Sequence, residues 1–242
     1  MRILRRLAVT LALSAAMTAP NVLAQQRERR EPVIVVSGQG DAQVAPDLAI
    51  VSLGVSETRK TAREALDVAS SAMSAVIDAL KKQGIEPRDL QTSGLSIQAQ
   101  YSYPQNEDGT PEPPVLTGYA VSNTLVVRIR DLAKVGAIID QAVTLGVNQA
   151  GDIRFTNDDP AKAIKEARVE AVKDAVEKAG TLADAAGVKI GRILEVTESS
   201  IPEDPRPLMS ARMAKEAADA VPVEAGENSY SVNVNVIFAI DQ

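Results

Sequence analysis

The chain has 242 residues, with 26 Lys or Arg, 32 Asp or Glu, and no His, Cys or Trp. Its net charge of −6 is offset by no basic stripe of the kind that binds nucleic acid or anionic lipid. The missing His and Cys exclude Ser-His-Asp triads, thiol nucleophiles and every zinc site built on imidazole or thiolate. No Ser stands three residues before a Lys, so the S-x-x-K pattern is absent too. Carboxylate chemistry and an all-oxygen metal site stay open.

At the amino terminus Arg2, Arg5 and Arg6 precede an apolar stretch from Leu7 to Met17, and Val22-Leu23-Ala24 follows. Basic head, short apolar centre and small-residue cut site make a secretory signal, with cleavage expected after Ala24. The centre falls short of the ~20 apolar residues that span a bilayer. No later stretch is apolar and long enough to do so. Residues 1–24 are then a leader and 25–32 a charged linker, and 33–242 should form a single domain. The leader holds three basic residues and no acidic one, which leaves the mature chain at −9. Absence of Cys suits an exported protein, since the oxidising compartment poses no pairing problem.

Val33–Val36 reads as a short strand that runs into Gly38-Gln39-Gly40. Val51, Leu53 and Val55 then alternate with Ser52, Gly54 and Ser56, a half-buried strand. A dinucleotide fingerprint needs a third glycine opening a helix directly after the strand. Gln43 stands there instead and Pro46 follows, so the glycines are expected to permit a bulge or bend. Ala62, Ala65, Leu66, Ala69, Met73, Val76, Ile77 and Leu80 make one apolar helix face. Thr61 and Glu64 are placed as a capping box and Gly84 as a stop.

Two strands with a long connection come next. Leu95, Ile97, Ala99, Tyr101 and Tyr103 share one face of the first; Tyr119, Val121, Leu125, Val127 and Ile129 share one face of the second. They predict a β-hairpin whose tip, rich in proline and acid, is "PQNEDGTPEPPVLT". Asn123 falls on the apolar side, where a buried amide needs a hydrogen-bond partner. Asp131 should cap a second helix that stops at Gly146. "VNQAGDIRF" is a strand. A long third helix follows "NDDP", with Gly187 beyond its end and a buried stripe of Ile164, Ala167, Ala171, Ala175, Ala179, Leu182 and Ala186. "KIGRILEVTES" and "YSVNVNVIFAI" are the last strands. Between them lies a proline-flanked arm carrying Leu208, Met209 and Met213, whose methionines suit an adaptable interface. The order ββαββαβαββ predicts an α+β fold, a largely antiparallel sheet with helices packed on one face.

Several phrases in this order resemble the SIMPL-domain family of exported bacterial proteins, which includes periplasmic immunogenic proteins. They are "VSGQGDAQVAPDLAIVSLGV", "LQTSGLSIQAQYSY", "GYAVSNTLVVRIRDLAKVGAIIDQAV", "DIRFTNDDPAKAIKEARVEAVKDA" and "YSVNVNVIFAI". The resemblance implies a single periplasmic domain, self-assembly, and a role in envelope or oxidative-stress physiology. The family offers no agreed catalytic residues to carry over.

The leading expectation is therefore a non-catalytic, self-associating periplasmic protein without cofactor or bound metal. A homo-oligomer is expected from the Ala-faced helix, the Met arm and possible free strand edges. Direct oxidant scavenging is disfavoured, because thiols are absent, haem would lack His and Cys ligands, and few methionines remain after the leader. The alternative is a binding module for a peptide or glycan, using the 101–118 loop and the 200–228 arm. Its contact residues would be Tyr101, Tyr103, Asn123, Leu208, Met209 and Met213. A carboxylate enzyme is the third possibility. Against it, Asn106–Gly109 reads as a turn and Asn157–Pro160 as a helix cap, and neither has the spacing of a calcium loop.

Overall fold

A computed structural model describes residues 31–199, 206–208 and 222–241. The expected leader, most of the linker, Met209 and Met213 lie outside these residues. The strands are β1 (Val33–Val44), β2 (Leu48–Arg59), β3 (Leu90–Ser102), β4 (Val115–Ile129), β5 (Gln149–Thr156), β6 (Lys189–Glu198), β7 (Arg206–Leu208) and β8 (Glu227–Asp241). The helices are α1 (Ala62–Lys82), α2 (Val135–Thr144) and α3 (Ala161–Ala186). The α+β class and the element order match the expectation, with the short β7 added.

The strands divide between two antiparallel sheets. One runs β1-β8-β6, with β7 also on β8; the other runs β3-β4-β2-β5. Side-chain alternation reports which face of a strand is buried but not which strand lies beside it, so the sequence could not show this division. Each sheet has its own core. In the second, Val51, Leu53 and Val55 of β2 and Val121, Leu125 and Val127 of β4 meet Ala65, Ala69, Met73, Val76 and Leu80 of α1. Ile138 and Ala142 of α2 extend that core. Thr61 caps α1 by accepting from the Glu64 N–H at 3.2 Å, and Gly84 ends it at φ 92°. Asp131 pairs with Lys134 at 3.1 Å and makes no side-chain cap, because a 3-10 turn separates it from α2.

The first sheet corrects the reading of the glycines. β1 is one continuous strand of 12 residues, paired in register with β8 and unbroken at Gly38 and Gly40. Neither glycine makes a bulge, and β1 does not pair with β2. Both lie under α3. A Cβ on Gly38 would come within 2.0 Å of the Ala171 carbonyl oxygen, and one on Gly40 within 2.1 Å of that of Ala167. The facing helix stripe is Ala163, Ala167, Ala171, Ala175, Ala179 and Ala183, all buried. Leu182 and Ala186, expected in it, are exposed, and Ile164 is half-buried. A bare strand and an alanine stripe let helix and sheet approach more closely than larger side chains permit. Gly187 ends α3 in the left-handed conformation, φ 69°.

The chain passes between the sheets at adjoining places, 45–47 and 157–160. Asn157 Nδ2 donates to the Ala45 carbonyl at 2.8 Å, and its Oδ1 accepts from Asn228 Nδ2 at 2.9 Å and Tyr230 OH at 3.0 Å. The Asp158 N–H donates to Asp47 Oδ1 at 2.7 Å. Asn157 thus ties three segments together and does not cap α3. At that end the Asp159 carboxylate accepts from the Ala161 N–H at 3.0 Å.

Candidate interaction surface

The two sheets present edges of different kinds. Between Ser37 and Asp41 the outward backbone groups of β1 are already occupied by side chains of α3. The Gln39 N–H donates to Asp174 Oδ2 at 2.8 Å and the Asp41 N–H to Glu170 Oε2 at 3.3 Å, while Lys178 Nζ donates to the Ser37 carbonyl at 3.2 Å. These three residues are spaced four apart, so one helix face supplies them all. Lys178 also binds Asp174 at 2.7 Å. Hydrogen bonds from Lys178 and from the Gln39 amide hold the Asp174 carboxyl below its ordinary pKa. A cleft of about 410 Å³ opens beside this ladder, between Val36 and Ser37 of β1 and Lys178, Thr181 and Leu182 of α3. Its Lys–Asp pair is satisfied internally, so the cleft closes an edge and offers no free charge pair to a ligand.

β3 is the opposite case. It ends its sheet, and no strand among the described residues pairs with its outer side. Nearly every residue along it is exposed on both faces. From Leu90 to Val127 the only charged residues are Glu107, Asp108 and Glu112, all at the hairpin tip. Edge strands are ordinarily blunted by charge, Pro, bulges or a covering element. β3 has two register irregularities and, among the described residues, none of the other devices. Leu95 and Ile97 lie opposite Asn123 and Val121 but stay exposed, because α1 covers β2 and β4.

The ladder outruns β2, which ends where Arg59 meets Tyr119. Beyond it Gln100 pairs with Gly118, Tyr101 with Leu116 and Ser102 with Val115. Thr117 is dropped from the register and its Oγ1 donates to the Gln100 carbonyl at 3.0 Å. This two-stranded extension carries Tyr101 (51% exposed), Val115 (52%) and Leu116 (47%), and Tyr103 (74%) follows directly after it. The tip loop is ordered. Asp108 Oδ1 accepts from the Thr110 N–H at 2.9 Å and from its hydroxyl at 2.6 Å, and the Asn106 amide donates to Thr110 Oγ1 at 2.8 Å. The Thr110 bonds hold the Asp108 carboxyl below its ordinary pKa. The Glu112 N–H closes on the Pro104 carbonyl at 2.9 Å.

Of the six expected contact residues, Tyr101 and Tyr103 lie on this surface; Met209 and Met213 are outside the described residues. Asn123 sits on the core side between Val121 and Leu125; its Oδ1 is buried with no hydrogen-bond partner among the described residues. The backbone of Leu208 pairs with Glu227 in β7. Val115 and Leu116 were not read as contacts, because they sit among the prolines of the loop. A further cluster also went unread. The buried Asp89 binds Arg130 at 3.1 Å, and Asp158 binds Arg128 at 2.6 Å and Arg130 at 3.4 Å. Its charges are mutually compensated. Among the described residues no three acidic groups converge as a cation site.

Comparison with known proteins places this geometry in context. The family model described as "SIMPL: Protein of unknown function (DUF541)" matches residues 34–238. The chain is 47% identical over 236 residues to the "26 kDa periplasmic immunogenic protein" of Brucella melitensis biotype 1, covering 96% of this chain and 94% of the relative. It is 29% identical over 238 residues to "Uncharacterized protein YggE" of Escherichia coli K12, covering 96% and 93%. To the protein of the same name from Edwardsiella ictaluri it is 27% identical over 239 residues, covering 96% and 98%.

Proposed function

The chain belongs to the SIMPL (DUF541) family, and from that membership we propose that it is a non-catalytic periplasmic protein that works by assembling with its own copies. Cleavage after Ala24 would release it into the periplasm, where the Brucella relative's name also points. The role proposed is in envelope or oxidative-stress physiology, exerted through the assembly and not through oxidant chemistry. The observation that carries the reading is the contrast between β1 and β3: β1 is capped from Ser37 to Asp41 by α3, while β3 is uncharged, apolar on its flank and open among the described residues. Such an edge is a template for a further strand. The alanine stripe of α3, once a reason to expect self-association, is used up against β1 and β8; of the remaining edge strands β5 and β6 carry charges and β3 carries none, so we assign assembly to β3. No helix among the described residues is long and apolar enough to cross a membrane.

Light scattering on the mature protein tests this. More than one subunit is expected at micromolar concentration. Leu95→Lys with Ile97→Lys should give a monomer that melts like the parent. A parent that is monomeric at every concentration, or a double variant of unchanged mass, would defeat the proposal.

A second reading has its own support. The exposed Tyr101 and Tyr103, on an ordered loop, would make this end of the hairpin a contact site for a peptide or glycan.

A further inference from the structure

We infer that the hairpin tip is a docking surface for a cationic peptide segment in which apolar residues alternate with Lys or Arg. This rests on the second reading above and names the class of partner. The argument begins with an imbalance. Tyr101, Val115 and Leu116 are gathered on a two-stranded extension, with Tyr103 just beyond it, and among the described residues no third strand and no helix lies over it. An isolated two-stranded ribbon is marginal in water, and exposed apolar side chains on it gain from being covered. Three carboxylates, Glu107, Asp108 and Glu112, stand directly beyond these side chains, with no basic residue between Leu90 and Val127 to offset them. At the foot of this extension, where Arg59 meets Tyr119, the charges balance. Arg59 is paired with Glu57 at 2.7 Å and Arg63 with Asp67 at 3.3 Å, and Lys60 is matched in number by Glu64. The uncompensated charge is therefore at the tip, and it is negative.

An apolar strip ending in acid fits a partner that is apolar with basic ends. It repels an anionic lipid surface, which would bring like charge to the same place. The geometry favours an extended partner over a helical one. Tyr101 with Leu116 and Ser102 with Val115 are cross-strand pairs, and they continue into the open edge of β3. A strand laid there alternates its side chains between the two faces at the same spacing as the pairs below. The loop is also set in advance. The hydrogen bonds of Asp108 and Asn106 to Thr110 and the closure of Glu112 on Pro104 fix the acid groups before a partner arrives, which lowers the ordering cost of binding. Asp108 is engaged in holding the turn; Glu107 and Glu112 are exposed carboxylates available to a Lys or Arg.

The test uses the mature protein and a synthetic peptide of about eight residues alternating Lys with Leu and carrying one Trp. The protein has no Trp, so the peptide's fluorescence reports binding directly. Saturable binding that weakens as salt rises is expected. Glu107→Gln with Glu112→Gln should weaken it about tenfold, as the loss of two exposed charge contacts allows. Tyr103→Ser with Leu116→Ser should abolish it. All four positions are exposed, and melting curves matching the parent's would establish that the fold is kept. Equal affinity for an analogue with Gln in place of Lys, or for a tetrasaccharide of N-acetylglucosamine, would overturn the cationic partner and leave the contact site standing. Failure of all three probes to bind would overturn both. Loss of self-association in the Tyr103–Leu116 variant would assign the tip to a second copy and would also overturn the inference.

Discussion

Gly40 passes so close beneath Ala167 that the backbone of α3 occupies the place a side chain on β1 would need. Gly38 stands in the same relation to Ala171, one helical turn further on. A methyl group at either position would meet a carbonyl oxygen, which cannot rotate away. Gly40→Ala is therefore expected to push α3 off the sheet and cost about 3 kcal/mol, the upper end of core overpacking. That is a fall in melting temperature of about 6–12 °C for a chain of this size. Gly94→Ala is the control, since a Cβ there meets nothing within 4 Å. Thermal melts that fell equally in the two variants would contradict this account of the glycines.

The buried stripe of α1 makes a second expectation. Val76 is fully buried in the core against β2 and β4, while Leu66 lies half-buried at its margin. Val76→Asp places an unpaired charge in the core and should cost several kcal/mol, or prevent folding. Leu66→Asp should cost less, because its carboxylate can reach water. Urea unfolding of both variants gives the order directly.

Asn157 is expected to behave as a joint. Asn157→Ala would remove the acceptor of the buried Asn228 Nδ2, and one hydrogen bond each from Tyr230 OH and the Ala45 carbonyl. A buried donor stranded in this way costs roughly 1–3 kcal/mol, whereas Ala45 is exposed and its carbonyl can turn to water. A loss of about 1–3 kcal/mol, read from urea unfolding, is therefore predicted. An Asp at this position restores the acceptor but not the donor, and should recover part of the loss.

These examples show what the sequence could convey. Periodicity located α1 and its face, because residues 62–80 touch one sheet and repeat at one spacing. It also located β2, β4 and β8, where buried and exposed residues alternate. It misjudged Gly38-Gln39-Gly40, because a strand that tolerates a helix at close range and a strand that bends use the same residue. The close approach depends on Ala167 and Ala171, well over a hundred residues away. Leu182 failed for a related reason. It fits a helical period, but at that point α3 follows the strict four-residue step of its alanines, which carries Ala183 to the sheet and Leu182 to the surface. Tyr101 and Tyr103 were legible as a pair. Their exposure was not, because it depends on how far α1 reaches across the sheet.

Acid should weaken the protein through specific pairs. Asp174 is lowered in pKa by its hydrogen bonds from Lys178 and Gln39, Glu198 by Arg168, and Asp108 by Thr110. A carboxylate with a depressed pKa stabilises the fold fully above its unfolded value and loses that contribution as pH falls through the folded one. The loss therefore begins near the ordinary carboxylate range, about pH 4, and continues below it. Between pH 5 and 8 the melting temperature should be nearly flat, since the chain has no His or Cys to titrate there. Asp174→Asn should flatten the acid limb. An acid limb as steep as the parent's would remove Asp174 from this account.

The same residue has a second duty, and it yields the sharpest expectation. Glu170, Asp174 and Lys178 occupy backbone groups of β1 that would otherwise face solvent as an open edge. The ion pair of Asp174 with Lys178 lies at the surface, where such pairs contribute little to stability. Its larger effect is to deny β1 to another strand. Replacing all three with Ala should accordingly lower the melting temperature only slightly, since the alanine stripe beneath them is untouched. Association should change much more, because the variant exposes Gln39 and Asp41 N–H groups and the Ser37 carbonyl along one edge. Light scattering on the triple variant, made also in the Leu95→Lys, Ile97→Lys background that closes β3, isolates this edge from the other. New concentration-dependent assembly in that background is the predicted result. A variant that stays monomeric at every concentration would mean that the ladder merely fastens α3, and that β1 needs no guard.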